Sequence, residues 1–421
     1  MPDIASSAEF KSEFLQTLNI RGYLHQLTDA SMLDSIMRNG PVTAYIGFDC
    51  TARSLHIGSL IQIMVLRYLQ RFGHKPIVLL GGATTKVGDP SGKEKARAML
   101  TSEDIAENKT GILRVIKKFL SSQGDIQVVD NSEWLESYGY LDFLREVGSK
   151  FSVNVMLGLE SVKSRLSRDQ QLSFLEFNYV LLQSYDFVEL HKRYGCILQI
   201  GGSDQWGNIV SGIDLARKMG CKQLYGLTTP LLLNSAGAKM GKTADGAIWL
   251  DSDLYSAYDY WQYFRNVPDK EVATLLRLFT ELPISEVELL TSRPGECINE
   301  AKKILATEAT RICHGSIAAQ QAELQAKSVF EHGDDDELQR VSVQRDLLTD
   351  GVTFAKLLHM AGLEESISAG RRLIAGGGCK VNGVTMQDEK ATVDAADFDK
   401  NGGYITVFCG KKRRAKIVLE S

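Results

Sequence analysis

The 421-residue sequence has no closely spaced cysteines, no long apolar run and no large excess of one charge. Its seven Cys are scattered, without a CxxC or a zinc-like Cys/His spacing, so we expect reduced thiols and a cytoplasmic protein. No run of ~18 apolar residues is present and the first ten residues lack a signal pattern, so no membrane partner is expected. A net charge of −4 excludes a nucleic-acid-binding protein whose whole surface is basic, so any basic surface must be local.

Short apolar runs closed by Gly alternate with a helical pattern in the first half of the chain. Residues 42–48, 76–82 and 196–202 predict strands, and 59–73 predicts a helix that begins near Ser54 or Leu55. Strand, helix and strand within ~40 residues predict a βαβ unit and a parallel sheet. Residues 95–190 look like a mostly helical insertion with one strand at 125–130.

The second half predicts a change of architecture and of charge. Residues 236–330 have a helical pattern, with one long amphipathic helix over 308–330, and 331–350 is an acidic, polar linker. Residues 352–421 hold 11 Lys and Arg against 8 Asp and Glu, whereas the remainder is about −7. The last segment, two helical patterns and a hairpin at Asn382-Gly383, is therefore the part expected to meet a polyanion.

The stretch "YIGFDCTARSLHIGSL" (45–60) places polar residues between a predicted strand and a predicted helix. Tyr45, Gly47 and Asp49 alternate, so their side chains point to one side as the strand ends. Thr51 and His56 would lie near the positive end of the following helix, where phosphate is favoured. The pattern alone is more typical of an ordinary capped helix with a core His.

Two glycine-rich stretches carry further cations. "SAGAKMGKTADGAIWL" (235–250) has two Lys around Gly241, which suits a pyrophosphate that gains charge, although a solvated basic turn has the same pattern. "GDPSGKEKAR" (88–97) resembles a phosphate loop but fails as a Walker A motif, because only three residues separate Gly88 from Gly92.

Within "FLEFNYVLLQSYDF" (174–187), Tyr179, Gln183 and Asp186 form a polar stripe at i, i+4 and i+7 of an otherwise apolar helix. A stripe facing solvent would use Lys and Glu, so these residues favour a buried polar pocket. A partly exposed helix face is the alternative.

HIGS (56–59) and KMGKT (239–243) resemble the paired HIGH and KMSKS signatures of class I aminoacyl-tRNA synthetases. With "GGSDQWGN" (201–208), "YVLLQSYD" (179–186) and GDPSGK, nearly the whole chain resembles bacterial-type tyrosyl-tRNA synthetases. Ser59 and Gly241 depart from the two signatures. The resemblance implies an α/β fold: a Rossmann-like catalytic domain with a connective insertion (1–235), a helical domain (236–330), the linker and a small α+β RNA-binding domain (351–421).

The resemblance also implies the reaction and its partners. L-Tyrosine and ATP, with Mg²⁺, would give tyrosyl-adenylate and pyrophosphate, and the tyrosyl group would pass to the 3′-terminal adenosine of tRNA(Tyr). A homodimer is expected from the family. A phenol suits the predicted pocket, because the carboxylate of Asp186 accepts its proton and the Tyr45 hydroxyl can donate to its oxygen.

The predicted site residues fall into four groups, and no residue is assigned to a resident metal. Those expected to act on the pyrophosphate are Thr51, His56, Lys93, Arg97, Lys239, Lys242 and Thr243. Those expected to bind tyrosine are Tyr45, Asp89, Tyr179, Gln183, Asp186 and Gln205. Those expected to bind ATP are Gly47, Asp49, His56, Gly58, Gly201, Gly202, Asp204 and Lys242. Those expected to bind RNA are Arg371, Arg372, Lys380, Lys411, Lys412, Arg413 and Arg414.

Three alternatives remain at this point. A tryptophanyl-tRNA synthetase shares the fold, but an indole offers a donor and no acceptor opposite Tyr45 and Asp186. A nucleotidyl-transferring ligase that makes a small metabolite would not need the basic C-terminal segment. A non-catalytic RNA-binding descendant would be expected to lose loop lysines or pocket polar groups, which this sequence retains.

Overall fold

The chain forms two units, Met1–Gln320 and Gln321–Ser421, and the first is built on a six-stranded sheet. The structure is a computed structural model that describes residues 9–91, 100–120, 126–234, 237, 240–243, 246–292, 296–332, 339–348, 351–382, 384–400, 403–410 and 413–420. Within those ranges, no helix has the length and apolar character needed to cross a bilayer.

The strands of residues 26–247 are β1 (Gln26–Leu27), β2 (Thr43–Asp49), β3 (Lys75–Gly81), β4 (Gln127–Asp130), β5 (Leu198–Gly202), β6 (Tyr225–Thr229), β7 (Lys242–Thr243) and β8 (Gly246–Ala247). The helices of residues 13–332 are α1 (Glu13–Arg21), α2 (Ala30–Asn39), α3 (Ile57–Arg71), α4 (Thr84–Val87), α5 (Ser102–Leu120), α6 (Ser132–Leu135), α7 (Tyr140–Glu146), α8 (Val153–Leu157), α9 (Glu160–Ser167), α10 (Phe174–Phe177), α11 (Tyr179–Tyr194), α12 (Trp206–Lys218), α13 (Ala257–Arg265), α14 (Asp269–Phe279), α15 (Ile284–Thr291), α16 (Glu296–His314) and α17 (Ser316–His332).

The central sheet has the strand order β1-β6-β5-β2-β3-β4, and all its pairs are parallel except β1 with β6. The expected Rossmann-like parallel sheet is confirmed. The helices α3 and α12 pack against it, and α11 packs along α12. Parallel strands bring their carboxyl ends to one edge, so Asp49, Gly81, Asp130 and Gly202 end four strands along the same edge.

The helix that follows β2 begins later than the sequence pattern predicted. Residues 54 and 55 lie outside it, and α3 starts at Ile57 with His56 as its N-cap in extended backbone geometry. The His56 Nδ1 accepts the backbone N–H of Gly58 at 3.0 Å, which satisfies one of the unpaired donors of the first turn. The reason for the later start is tertiary, since the backbone of residues 55–57 is bonded to residues 248–250.

The prediction of one helix over 308–330 is wrong. The helix α16 ends at His314 and α17 begins at Ser316, because Gly315 adopts φ +89°, a left-handed conformation that ends a helix. The amphipathic pattern continues on both sides of this break, so the pattern alone could not predict the turn.

The second unit holds a five-stranded sheet in the order β12-β11-β14-β15-β9. Its elements are β9 (Gln339–Gln344), β10 (Val352–Thr353), α18 (Phe354–Met360), α19 (Ile367–Ala375), β11 (Cys379–Val381), β12 (Val384–Met386), β13 (Thr392–Val393), α20 (Ala395–Lys400), β14 (Tyr404–Cys409) and β15 (Arg413–Glu420). The strands β11 and β12 form the expected hairpin, with Asn382 at φ +47° in its turn.

A buried arginine joins the N-terminal helix to the helical part of the first unit. The Arg21 guanidinium donates to three backbone carbonyls: Arg277 at 3.0 Å, Thr280 at 2.8 Å and Leu282 at 2.6 Å. The Arg21 side chain also lies over the Tyr68 ring. These bonds satisfy carbonyls at the end of α14 that no helical N–H reaches.

We expect Arg21→Ala to lower the free energy of unfolding of the first unit by about 3 kcal/mol, because it leaves buried carbonyls without donors. All four Trp lie between residues 134 and 261, so urea unfolding followed by tryptophan fluorescence reports on this unit. The control is Arg217→Ala, which removes an exposed ion pair with Asp214 and should cost less than about 0.5 kcal/mol. Equal effects of the two substitutions would contradict the role of Arg21.

Candidate active site

A cavity of about 410 Å³ opens at the carboxyl edge of the central sheet. Strand β2, the segment that follows it, α11 and the end of β5 supply most of its wall. The predicted site residues that line it are Tyr45, Gly47, Asp49, Thr51, His56, Asp89, Tyr179, Gln183, Asp186, Gly201, Gly202 and Gln205. The structure therefore brings together side chains from segments more than 150 residues apart in the sequence.

The inner wall of the cavity carries the Asp186 carboxyl group, which is only 2% exposed. Its two oxygens accept hydrogen bonds from Asn131 Nδ2 at 3.0 Å and from Trp134 Nε1 at 2.8 Å. Burial raises the pKa of Asp186 to about 8, although both hydrogen bonds favour the charged form. The carboxyl group is thus held in one orientation, with a pKa raised by burial to about 8.

Tyr45 lines the same cavity and is fully buried, with its ring packed on Phe187. Burial and the nearby Asp186 raise the pKa of its hydroxyl well above the usual value, so it stays protonated. Within the described residues, the Tyr45 hydroxyl has no hydrogen-bond partner. A buried hydroxyl without a partner is costly, and a ligand that bonds to it removes that cost.

A chain of amide side chains reaches the cavity wall through Gln183 and Gln205. Gln205 donates to Asp89 at 2.8 Å, Gln183 donates to the Gln205 amide oxygen at 3.2 Å, and Asn208 donates to Gln183 at 2.9 Å. Burial, and then the neighbouring charge of Asp49, raise the pKa of Asp89 to about 6. These bonds fix the carboxylate and the amides that face an incoming polar ligand.

The two signature segments are joined through their backbones. The Ile57 N–H donates to the Ile248 carbonyl and the Leu250 N–H to the Leu55 carbonyl, both at 2.9 Å, so His56 lies opposite Trp249. This bridge fixes the far end of the lysine-bearing loop beside the N-terminus of α3.

Gly241 explains one departure from the KMSKS signature. Its φ of +100° disfavours any side chain, and a β-carbon there would lie 2.7 Å from Ile57 Cγ2 and 3.2 Å from the Gly58 nitrogen. The close approach of the loop to α3 therefore requires glycine at this position.

Several predicted residues lie outside the cavity wall or outside the described residues. Gly58 packs against the His56 ring, since a β-carbon there would lie 2.6 Å from His56 Cε1. Asp204 lines a neighbouring cavity of about 630 Å³ together with Trp206. Lys93, Arg97 and Lys239 fall outside the described residues. Lys242 and Thr243 form β7, which pairs with β8, but their side chains are not among those described.

The sequence reasoning missed four polar residues of the site. Asn131 and Trp134 follow β4, and Thr84 follows β3. Gln199 lies opposite Tyr45 in the sheet, and its buried amide oxygen has no hydrogen-bond partner in the part of the chain that the structure describes. Asn131 could have been found by its position, because it directly follows the carboxyl end of a parallel strand. Trp134 carried no such signal.

The predicted RNA-binding cations lie in the second unit. Arg371 and Arg372 on α19 and Lys380 on β11 are exposed. Arg413 instead donates to Glu364 at 2.7 Å, and the Glu364 side chain is only 7% exposed, so this pair belongs to the unit's own packing. Lys411 and Lys412 lie outside the described residues, and the side chain of Arg414 is not described.

The comparisons with known proteins agree with this geometry. The family described as tRNA synthetases class I (W and Y) matches residues 37–331, and the chain belongs to this family. It is 76% identical over 412 residues to the tyrosine–tRNA ligase of Anaplasma phagocytophilum (strain HZ), covering 98% of this chain and 100% of that protein. It is 66% identical over 412 residues to the tyrosine–tRNA ligase of Anaplasma marginale (strain St. Maries), again covering 98% of this chain and 100% of that protein.

A solved structure extends the likeness to the fold. The C-terminally truncated mitochondrial tyrosyl-tRNA synthetase of Aspergillus nidulans has a TM-score of 0.66 and 31% sequence identity. The match covers 76% of this chain and 94% of that structure. The resemblance read from the two signatures and the pocket stripe is thereby confirmed.

We expect tyrosine binding to strengthen as pH rises through about 8, because a charged carboxylate at position 186 accepts a phenolic proton more strongly than the neutral acid does. Trp134→Phe removes a donor to that carboxylate, which raises its pKa further and should move the binding midpoint up by about one pH unit. The tyrosine Kd is measured across pH for the unsubstituted protein and for Trp134→Phe. Ionisation of free tyrosine affects both curves equally, so it does not contribute to the difference between their midpoints. Trp206→Phe is the control, and an unmoved midpoint in Trp134→Phe would contradict the assignment.

Proposed function

We propose that this protein is a tyrosine–tRNA ligase, which activates L-tyrosine with ATP and transfers it to the 3′-terminal adenosine of tRNA(Tyr). The observation that carries this proposal is the pairing of a buried carboxyl group, Asp186, with a buried hydroxyl that has no described partner, Tyr45, in one cavity. Relatives that are 54–76% identical over nearly the whole chain are tyrosine–tRNA ligases, which supports the same conclusion.

Tyrosine is selected by its hydroxyl group. Asp186 accepts the phenolic proton while the Tyr45 hydroxyl donates to the phenolic oxygen. Phenylalanine would fill the same space but leave both protein groups desolvated and unpaired, which costs free energy for each. An indole would leave Tyr45 without an acceptor, which disfavours tryptophan.

The amino and carboxylate groups of tyrosine bind toward the mouth of the cavity. Asp89 and Tyr179, with Gln183, bind the ammonium group, and Gln205 binds the carboxylate. The hydrogen bonds of Gln205 to Asp89 and Gln183 support this arrangement, because they hold the polar groups in place before the substrate arrives. The tyrosine carboxylate is then directed at the nucleotide.

Activation is an in-line displacement at the α-phosphate of ATP. A carboxylate oxygen of tyrosine forms a bond to the α-phosphorus as the bond to the pyrophosphate oxygen breaks, and pyrophosphate leaves with its electron pair. No side chain acts as a nucleophile. Gly47, Asp49, Gly58, Gly201, Gly202 and Asp204 are proposed to hold the nucleotide.

The leaving pyrophosphate is stabilised by cations and by helix geometry. His56 caps α3, whose N-terminus attracts phosphate, which supports binding of pyrophosphate by Thr51 and His56 there. Lys93, Arg97, Lys239, Lys242 and Thr243 are proposed to complete the contacts. Such groups accelerate the reaction when they bind the developing charge more strongly than ground-state ATP.

Magnesium is proposed to enter with ATP as part of the substrate. Mg²⁺ prefers phosphate oxygens and water, with one or two carboxylates, and neutralises charge on the phosphates. Among the described residues, no group of three or more His, Cys, Asp or Glu is arranged to hold a metal ion. The carboxylates of Asp49 and Asp89 face the cavity and could meet a magnesium–phosphate complex.

We propose that residues 351–421 form an RNA-binding domain and that the enzyme acts in the cytoplasm as a homodimer. Exposed Arg371, Arg372 and Lys380 support phosphate contacts by the second unit. Eight large apolar side chains between residues 140 and 175 are exposed, and a second copy that covers this part of the first unit would remove them from water. They are Tyr140, Leu141, Val153, Val155, Leu157, Leu166, Phe174 and Leu175.

The proposed function is tested by ATP–pyrophosphate exchange with each of the twenty amino acids, with and without tRNA. We expect exchange to depend on tyrosine, with rates for phenylalanine and tryptophan near the background. Exchange that is strongest with tryptophan, or that needs no amino acid, would contradict the proposal.

We expect Lys242→Ala to lower the rate of tyrosine-dependent exchange about 100-fold or more, with little change in tyrosine affinity, because it removes a cation that meets charge only as pyrophosphate leaves. Steady-state exchange gives kcat, and equilibrium binding gives the tyrosine Kd. Equal losses in rate and in affinity would mean that Lys242 does not act on the transition state.

We expect deletion of residues 341–421 to lower the rate of tRNA charging about 10-fold or more while exchange changes less than about twofold, because phosphate contacts supply much of the affinity for RNA. Charging of tRNA and pyrophosphate exchange are measured on the same preparation. A parallel fall in both rates would show that the segment is structural.

A further inference from the structure

The helix α5 lies against the segment that leads to His56. The Asn108 amide donates to the Cys50 carbonyl at 2.9 Å, and Ile112 reaches the wall of the main cavity. Gly111 touches the same segment, since a β-carbon at this position would lie 1.8 Å from the Arg53 carbonyl oxygen. The helix backbone therefore packs directly on the chain between β2 and α3.

One turn further on, the same helix reaches the end of the lysine-bearing loop. The Arg114 guanidinium donates to the Asp251 carboxylate and also pairs with Asp253 at 3.2 Å. Lys118 Nζ lies 4.0 Å from Asp251. Residues 111, 114 and 118 follow the i, i+3, i+7 spacing of one helix face, so one stripe of α5 contacts both segments.

Asp251 is the buried member of this ion pair, with 1% of its side chain exposed. It directly follows Leu250, whose backbone N–H is bonded to the Leu55 carbonyl beside His56. Without Arg114 the buried carboxylate would keep only the more distant Lys118, so its burial would be less well compensated and the loop end would move toward water. Any such movement pulls on the bridge between residues 55–57 and 248–250.

We propose that α5 sets the spacing between the His56 segment and the lysine-bearing loop, and that Arg114 is a positioning residue for ATP activation. This inference rests on the proposed function. Arg114 is half-exposed and is not among the residues that line the cavity, so it acts through Asp251.

The alternative is that α5 only stabilises the first unit. The two possibilities differ in which measured quantity changes. A helix that positions the loop affects the rate of activation and leaves tyrosine binding intact, because Asp186 and Tyr45 lie on other elements. A helix that only stabilises the unit lowers the unfolding midpoint and affects every ligand alike.

The test compares Arg114→Ala with Arg114→Lys and with Lys117→Ala, which removes an exposed cation from the same helix. We expect Arg114→Ala to lower the kcat of ATP–pyrophosphate exchange about 10-fold with the tyrosine Kd unchanged, measured at a temperature where the variant is fully folded. The unfolding midpoint should fall as well, because Asp251 loses its nearest cation, so the tyrosine Kd is the quantity that separates the two possibilities. Arg114→Lys should recover part of the rate, since an ammonium can still pair with Asp251. Lys117→Ala should equal the unsubstituted protein.

A double variant shows whether Arg114 acts through Asp251. In the Asp251→Asn background, Arg114→Ala should change the exchange rate less than about twofold, because the buried carboxylate through which Arg114 acts is already absent and only its pair with the exposed Asp253 is lost. A fall of about 10-fold in the exchange rate, caused by Arg114→Ala in the Asp251→Asn background, would overturn the inference. So would an unchanged exchange rate in Arg114→Ala alone, or a weakening of tyrosine binding that matches the fall in rate. Failure of the proposed function is distinct, because the unsubstituted protein would then lack tyrosine-dependent exchange.

Discussion

The site depends on a carboxyl group that is held almost entirely out of water. Asp186 keeps its position because Asn131 and Trp134 each donate to one of its oxygens, and burial raises its pKa to about 8. Tyr45 lies in the same cavity with its hydroxyl unpartnered among the described residues. Two polar groups that are shielded from water favour a ligand that forms a hydrogen bond with each of them. A phenol does so with its single hydroxyl group.

A second constraint holds together two segments of the cavity wall, those of His56 and Trp249. The backbone of residues 55–57 is bonded to residues 248–250, and Gly241 lets the loop approach α3 where a side chain would clash. The helix α5 contacts both sides of this joint through Gly111 and Arg114. Chemistry that relies on positioning and charge stabilisation is sensitive to such spacing, because a shift of the cations weakens their effect on the leaving group.

Local periodicity predicted much of this arrangement. Alternation along β2 and the stripe on α11 placed Tyr45 and Asp186 in one site, and the parallel sheet and the family are confirmed. Periodicity could not predict contacts made far along the chain. The start of α3 is set by a bridge to Trp249, the helix break at Gly315 lay inside a continuous amphipathic pattern, and Trp134 reaches Asp186 only through the fold. The roles of the individual cavity residues stay predictions.

The most direct measurement is the ratio of kcat/KM for tyrosine to that for phenylalanine in Tyr45→Phe, compared with the unsubstituted protein. Removing the hydroxyl leaves the cavity shape nearly unchanged and makes it apolar, so binding of phenylalanine no longer leaves this group unpaired. We predict that the ratio falls about tenfold or more, equivalent to at least one hydrogen bond. A ratio that stays the same in Tyr45→Phe would contradict recognition of the substrate hydroxyl by this pair.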